Sequence, residues 1–138
     1  MDSGRTTTEG LDQLKAKLLQ RLPRAARAQI RLANEKSAAE LMSRVLVIIP
    51  VDAAGTDGVH LRNSVKRGDF ADGDTATFVS VGSAEAPYPA HLALGHRAKD
   101  GTHVPGKDFW YAPKRVLRKR VNARMARAMS AAIKSIKL

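Results

Sequence analysis

The chain has no cysteine and few aromatic residues. Without cysteine there is no disulfide scaffold and no thiolate zinc site, and a reducing compartment suits the chain. Aromatics make up 4% of the 138 residues, so a core has to be built mainly from Ala, Leu, Val and Ile. Long apolar runs are also missing. The longest, Val45 to Val51, is far too short to cross a bilayer, so no membrane partner is expected. The segment Met1 to Thr6 carries no apolar stretch of the signal-peptide kind. The glycine patterns that cradle phosphates, Gly-x-Gly-x-x-Gly and Gly-Lys-Ser/Thr, do not occur, nor does the Gly-x-Ser-x-Gly elbow of serine hydrolases.

What is present is positive charge, unevenly placed. The net charge of +11 divides into +4 over residues 1–49, −2 over 50–112 and +9 over 113–138, where no acidic residue occurs. A field of this kind favours polyanions or acidic protein surfaces and is silent about fold. The hydrophobic content of 43% suits a globular chain, and the length suits one domain over 1–138. Residues 1–8, polar and rich in Thr and Ser, read as a loose arm.

The apolar spacing changes period twice. Leu11, Leu14, Leu18 and Leu22 recur at three and four, and Pro23 predicts a kink or restart. Ile30, Ala33, Ser37, Leu41 and Val45 then share one helical face, and Arg24, Arg27, Arg31 and Glu35 lie largely on another. Pro50 ends this helix. A turn-rich loop from Asp52 to Gly58 follows, then a short ordered element over His60 to Lys66. Thr75, Thr77, Val79 and Val81 alternate with their neighbours and predict a strand. Residues 86–94 fit a short helix or an edge strand, because Pro87 and Pro89 oppose a central strand. Residues 99–107 read as a loop. From Pro113 a second long helix is expected, because Val116, Arg120 or Val121, Met125, Met129, Ala132 or Ile133, and Ile136 recur at helical spacing. The predicted class is α+β: two long helices packed on a small, mainly antiparallel sheet of three to five strands.

Chemistry-bearing residues are present but form no reactive set. His91, His96 and His103 flank one loop, with Asp100 nearby, yet their spacing matches no closed zinc site. Ser64 has no base or oxyanion loop in view, and a local hydrogen bond to the backbone explains it better than nucleophilic work. Asp52, Asp57, Asp69, Asp72 and Asp74 sit in turn-forming runs rather than as an acid–base pair. No catalytic residue, cofactor or metal is therefore expected, and the chain does not read as an enzyme. The dense basic run Lys114, Arg115, Arg118, Lys119, Arg120, Arg124 and Arg127 is the candidate for polyanion or subunit contact. It lacks helix-turn-helix spacing and zinc ligands, so sequence-specific DNA recognition is not expected. Phe109-Trp110-Tyr111 just before the second helix suits a core anchor and an interface anchor alike.

Three pieces in fixed order carry a family likeness. Pro50 and Asp52 lead to Gly58, Leu61 and Ser64, with residues 53–57 as an insertion. Gly82 closes the strand, and Tyr88, Ala90 and Gly95 form the second piece. Phe109 and Pro113 form an aromatic–proline pair before the last helix. Over residues 11–137 the chain resembles the tail-component family of long-tailed bacteriophages, whose members complete the neck or tail. It departs from that pattern at Ala93 or Leu94, where the family usually has Glu, and at His96, where Thr is common. The resemblance implies a structural virion protein at the neck or tail end, assembled in the host cytoplasm as a homo-oligomeric ring, with a hexamer favoured. The implied partners are adjacent head-completion and tail-tube or tail-terminator proteins, with nonspecific contact to packaged DNA. A tail terminator and a small basic nucleic-acid-binding protein are the alternatives.

Overall fold

The structure, a computed structural model, describes residues 10–51, 61–70, 75–84 and 87–137. The predicted arm at 1–8 and the loop at 52–58 lie outside the described residues.

Helix α1 (Leu11–Ala16) passes through a π-helical turn (Lys17–Arg21) directly into α2 (Leu22–Ile48). The restart expected at Pro23 is therefore a widened turn in a helix that continues. Proline has no N–H, and its ring crowds the carbonyl four residues back. The π turn accommodates this just before Pro23, and the Leu22 N–H donates to the Lys17 carbonyl, five residues back. At the other end Ile49 is extended (ψ 132°), as a residue preceding proline prefers, and Pro50 stops the helix. The predicted face holds: α2 buries Ala33, Ser37, Ala38 and Val45, and leaves Arg24, Arg27 and Arg31 exposed.

Helix α4 (Tyr111–Ser135) lies antiparallel against this long helix. Arg124 reaches Ser37 and Glu40, while beyond the end of α4 the Lys137 carbonyl accepts from Lys17 Nζ at 3.2 Å. The buried residues of α4 are Pro113, Leu117, Ala128 and Ala132. Of the residues expected at helical spacing, Ala132 and Ile136 are buried, whereas Val116, Met129 and Ile133 are 73%, 37% and 46% exposed, because the contact runs through Leu117, Ala128 and Ala132. Small Ala128 and Ala132 allow the two helix backbones to approach, which larger side chains at the contact would not.

Between the helices the chain forms a 3-10 turn (Leu61–Ser64), strands β1 (Lys66–Asp69) and β2 (Thr77–Ser80), a short helix α3 (Pro89–Leu94), and strands β3 (Gly95–Arg97) and β4 (His103–Pro105). Among the described residues the strands make two separate two-stranded antiparallel ladders, β1–β2 and β3–β4, in place of one three- to five-stranded sheet. Pro89 starts α3, and α3 stands between the two ladders in the chain. The β1–β2 ladder sits on α2 through Arg31–Asp69 (3.3 Å) and Asn34 Nδ2 to the Thr75 carbonyl (2.7 Å). The segment read as a loop over 99–107 is half of a hairpin: Gly95 pairs with Pro105, His96 with Val104 and Arg97 with His103.

Val45, Ile49, Leu61, Val65 and Phe109 form the central core, with Leu41, Val79, Leu92 and Trp110 packed around it. The architecture is α+β and mainly helical.

Candidate functional site

The residues that carry the family likeness lie apart in sequence, and four of them meet at the core. Leu61 and Ser64 are buried in the 3-10 turn, at 3% and 5% exposure. The Ser64 hydroxyl donates to the Leu61 carbonyl (2.6 Å) and accepts from the Gly82 N–H (2.9 Å). One hydroxyl thus closes its own turn and ties it to the end of β2. Gly82 has φ 105°, a backbone region that side chains rarely enter. Phe109 is 1% exposed and packs in the same core as Leu61.

The remaining likeness residues serve local turns. Pro50 ends α2, and Asp52 and Gly58 lie outside the described residues. Tyr88 immediately precedes α3 and is 39% exposed. Gly95 has φ 85°, and a Cβ there would stand 2.7 Å from the Val104 carbonyl oxygen, so only glycine fits where the hairpin closes. Pro113 is buried in the first turn of α4.

That first turn is held by a residue the sequence reading passed over. Asp108 Oδ1 accepts from the Tyr111 N–H (2.8 Å) and the Ala112 N–H (3.1 Å), and Oδ2 pairs with Arg115 (2.7 Å). The Arg115 guanidinium, with the two backbone donors, holds the Asp108 carboxyl below the usual range. An aspartate just ahead of a helical run was the available signal.

The seven basic candidates divide. Lys114 Nζ lies 4.8 Å from the centre of the Trp110 ring and 5.1 Å from that of Tyr111. Arg115 is held by Asp108. Arg120 and Arg124 both pair with Glu40 of α2, Arg124 at 2.7 Å, and Arg124 also donates to the Ser37 hydroxyl (2.7 Å). The Arg124 side chain is only 14% exposed, so it belongs to the helix contact and not to an open basic surface. Hydrogen bonds from Arg124 and then Arg120 hold the Glu40 carboxyl below its ordinary range. Arg118, Lys119 and Arg127 are exposed and make no ion pair or hydrogen bond among the described residues.

The histidines do not assemble. His91 and His96 stand edge to face with ring centres 5.9 Å apart, and His96 is half-buried in β3 rather than solvated in a loop. Among the described residues no group of three His, Cys, Asp or Glu side chains could hold a metal ion, and no helix is long and apolar enough to cross a membrane.

Comparison with known proteins found no matching family, no similar curated protein and no similar solved structure.

Proposed function

We propose that the chain is a structural, non-enzymatic virion protein of a tailed phage or phage-like particle, a ring-forming neck or tail-completion subunit at the head–tail junction. One observation carries this reading. The likeness residues Leu61, Ser64, Gly82 and Phe109, spread over much of the chain, meet around one buried hydroxyl and one core. A motif that one family shares in its fold requires such convergence. The reading extends to a homo-oligomeric ring, with a hexamer favoured, stacked between head-completion and tail-tube or tail-terminator proteins. A tail terminator capping the tube is the variant within the same class.

The competing reading, a small basic nucleic-acid-binding protein, draws on the acid-free segment from Pro113 onward. Lys114, Arg115, Arg120 and Arg124 are already engaged within the molecule, which favours the structural reading. Sedimentation velocity and negative-stain imaging of the purified chain, alone and with isolated tails, separate the two. Rings, or rings that form only on the tail or portal end, are expected. A monomer that forms no ring on either end and shifts short duplex DNA at physiological salt would sink the proposal.

A further inference from the structure

Among the described residues the β1–β2 ladder has two strands, so each strand has one edge that no described strand covers. Its register pairs Arg67 with Val79 and Gly68 with Phe78, and just beyond it the Phe70 N–H donates to the Ala76 carbonyl at 3.4 Å. Antiparallel pairs alternate between hydrogen-bonded and non-bonded. Phe70–Ala76 is a bonded pair, so Gly68–Phe78 is bonded, and Asp69–Thr77 and Arg67–Val79 are not. Thr77 and Val79 therefore turn their N–H and C=O groups away from β1. No other described residue bonds to these backbone groups.

That edge borders a built cleft. Thr77 and Val79 line a hollow of about 390 Å³ with Ser37 and Leu41 of α2 and with Leu117 and Val121 of α4. A second hollow of about 390 Å³ runs from Val79 toward Ala93 and Leu94 of α3. Trp110 lines both. The charged residues lining the pair are Lys114 and Arg118, with no carboxylate among them. An open strand edge is a template for another strand. Extended peptides bind such edges by backbone hydrogen bonds, with alternate side chains entering pockets.

We propose that the open edge of β2 takes up an extended acidic peptide segment of another protein as a third strand. Its backbone pairs with Thr77 and Val79, its apolar side chains enter the hollows on either side of Trp110, and its carboxylates meet Lys114 and Arg118. The charge of the cleft selects this occupant over a basic one. The inference goes beyond the function proposed above and does not rest on it, since it needs neither a ring nor a particle.

The probe is a fluorescein-labelled ten-residue peptide of alternating Val and Glu, added to the purified full chain. Saturable binding by fluorescence polarisation is expected, with shifts of the Thr77 and Val79 amide resonances. Arg118→Glu should weaken binding by roughly tenfold, because reversal replaces attraction by repulsion at the rim. Arg118 is exposed and unpaired, so the variant should keep the wild-type circular dichroism. N-methylation of one of the peptide's two alternating sets of amides should abolish binding, a readout independent of any variant's folding. A Val–Lys peptide should not bind. The proposal is overturned by absence of binding, by indifference to both N-methylated sets, or by indifference to Arg118→Glu in a folded variant. Self-association through the same amides, with no peptide bound, would assign the edge to a second copy and overturn it as well. A failed search for rings would leave these results untouched.

Discussion

Glu40 is one carboxylate between two guanidiniums, and its position says why the basic segment does not simply repel the rest of the molecule. Arg120 and Arg124 are four residues apart on α4 and so share a face. Glu40 side-chain exposure is 18%, which limits screening by water. Its carboxyl titrates lower folded than unfolded, because the arginines favour the charged form. The resulting stability is present above the unfolded pKa and is lost as pH falls through the lower folded one. Urea midpoints should hold steady from neutral pH down to roughly pH 5 and then fall below about pH 4. Glu40→Gln should lower the midpoint at pH 7 and flatten the acid loss. A variant with the wild-type acid profile would mean that Glu40 contributes nothing to the helix contact. Asp108, held down by Arg115 and two helix amides, adds to the same acid loss.

At the scale of the element, the hairpin β3–β4 shows how a run of loop-like residues can be structural. Its turn holds itself together: the Ala98 N–H donates to the Thr102 carbonyl (2.9 Å), and Asp100 Oδ1 accepts from the Thr102 N–H (2.9 Å). The chain then passes tightly over α3, where a Cβ on Gly106 would meet the Ala93 carbonyl oxygen at 2.6 Å. The struck atoms are backbone and cannot swing aside, so Gly106→Ala should cost roughly 1–3 kcal/mol in urea unfolding. A neutral result would mean that the hairpin shifts freely on α3. Removing all of residues 98–106 would take β4 away with the turn, so that segment is not a detachable loop. The two long helices and β2 were legible because Ile30, Ala33, Ser37 and Val45 keep helical spacing and Thr77 and Val79 keep a period of two. Strand β1 was not, since Lys66-Arg67-Gly68-Asp69 has no apolar alternation and is specified by its partner and by α2. The phase of α4 was legible only at Ala132 and Ile136, and not at Val116, Met129 or Ile133. Its apolar residues surround the helix, and only the long-range fit of Ala128 and Ala132 picks a side. Of the candidate site, the knot of Leu61, Ser64 and Gly82 was marked by residue type, but the Glu40 contacts were hidden by sequence distance.

At the scale of the whole molecule, the two long helices are neighbours in space and strangers in sequence. The Arg124–Glu40 contact joins residues 84 positions apart, and Lys17 meets Lys137 across 120. Both ladders, α3 and the turn at Leu61–Ser64 are threaded between them. An ordinary helical hairpin closes on a short turn and zips from there. Here the helix pair must close a long loop before any of its contacts is gained, and that entropy is lost first. Refolding should therefore run at the pace of a mixed α/β domain, around milliseconds or slower, despite the high helix content. Stopped-flow fluorescence of Trp110, which packs against the core, reports the closing step directly. During synthesis the first long helix emerges well before α4, so the part of its apolar face that α4 covers must wait until that helix follows.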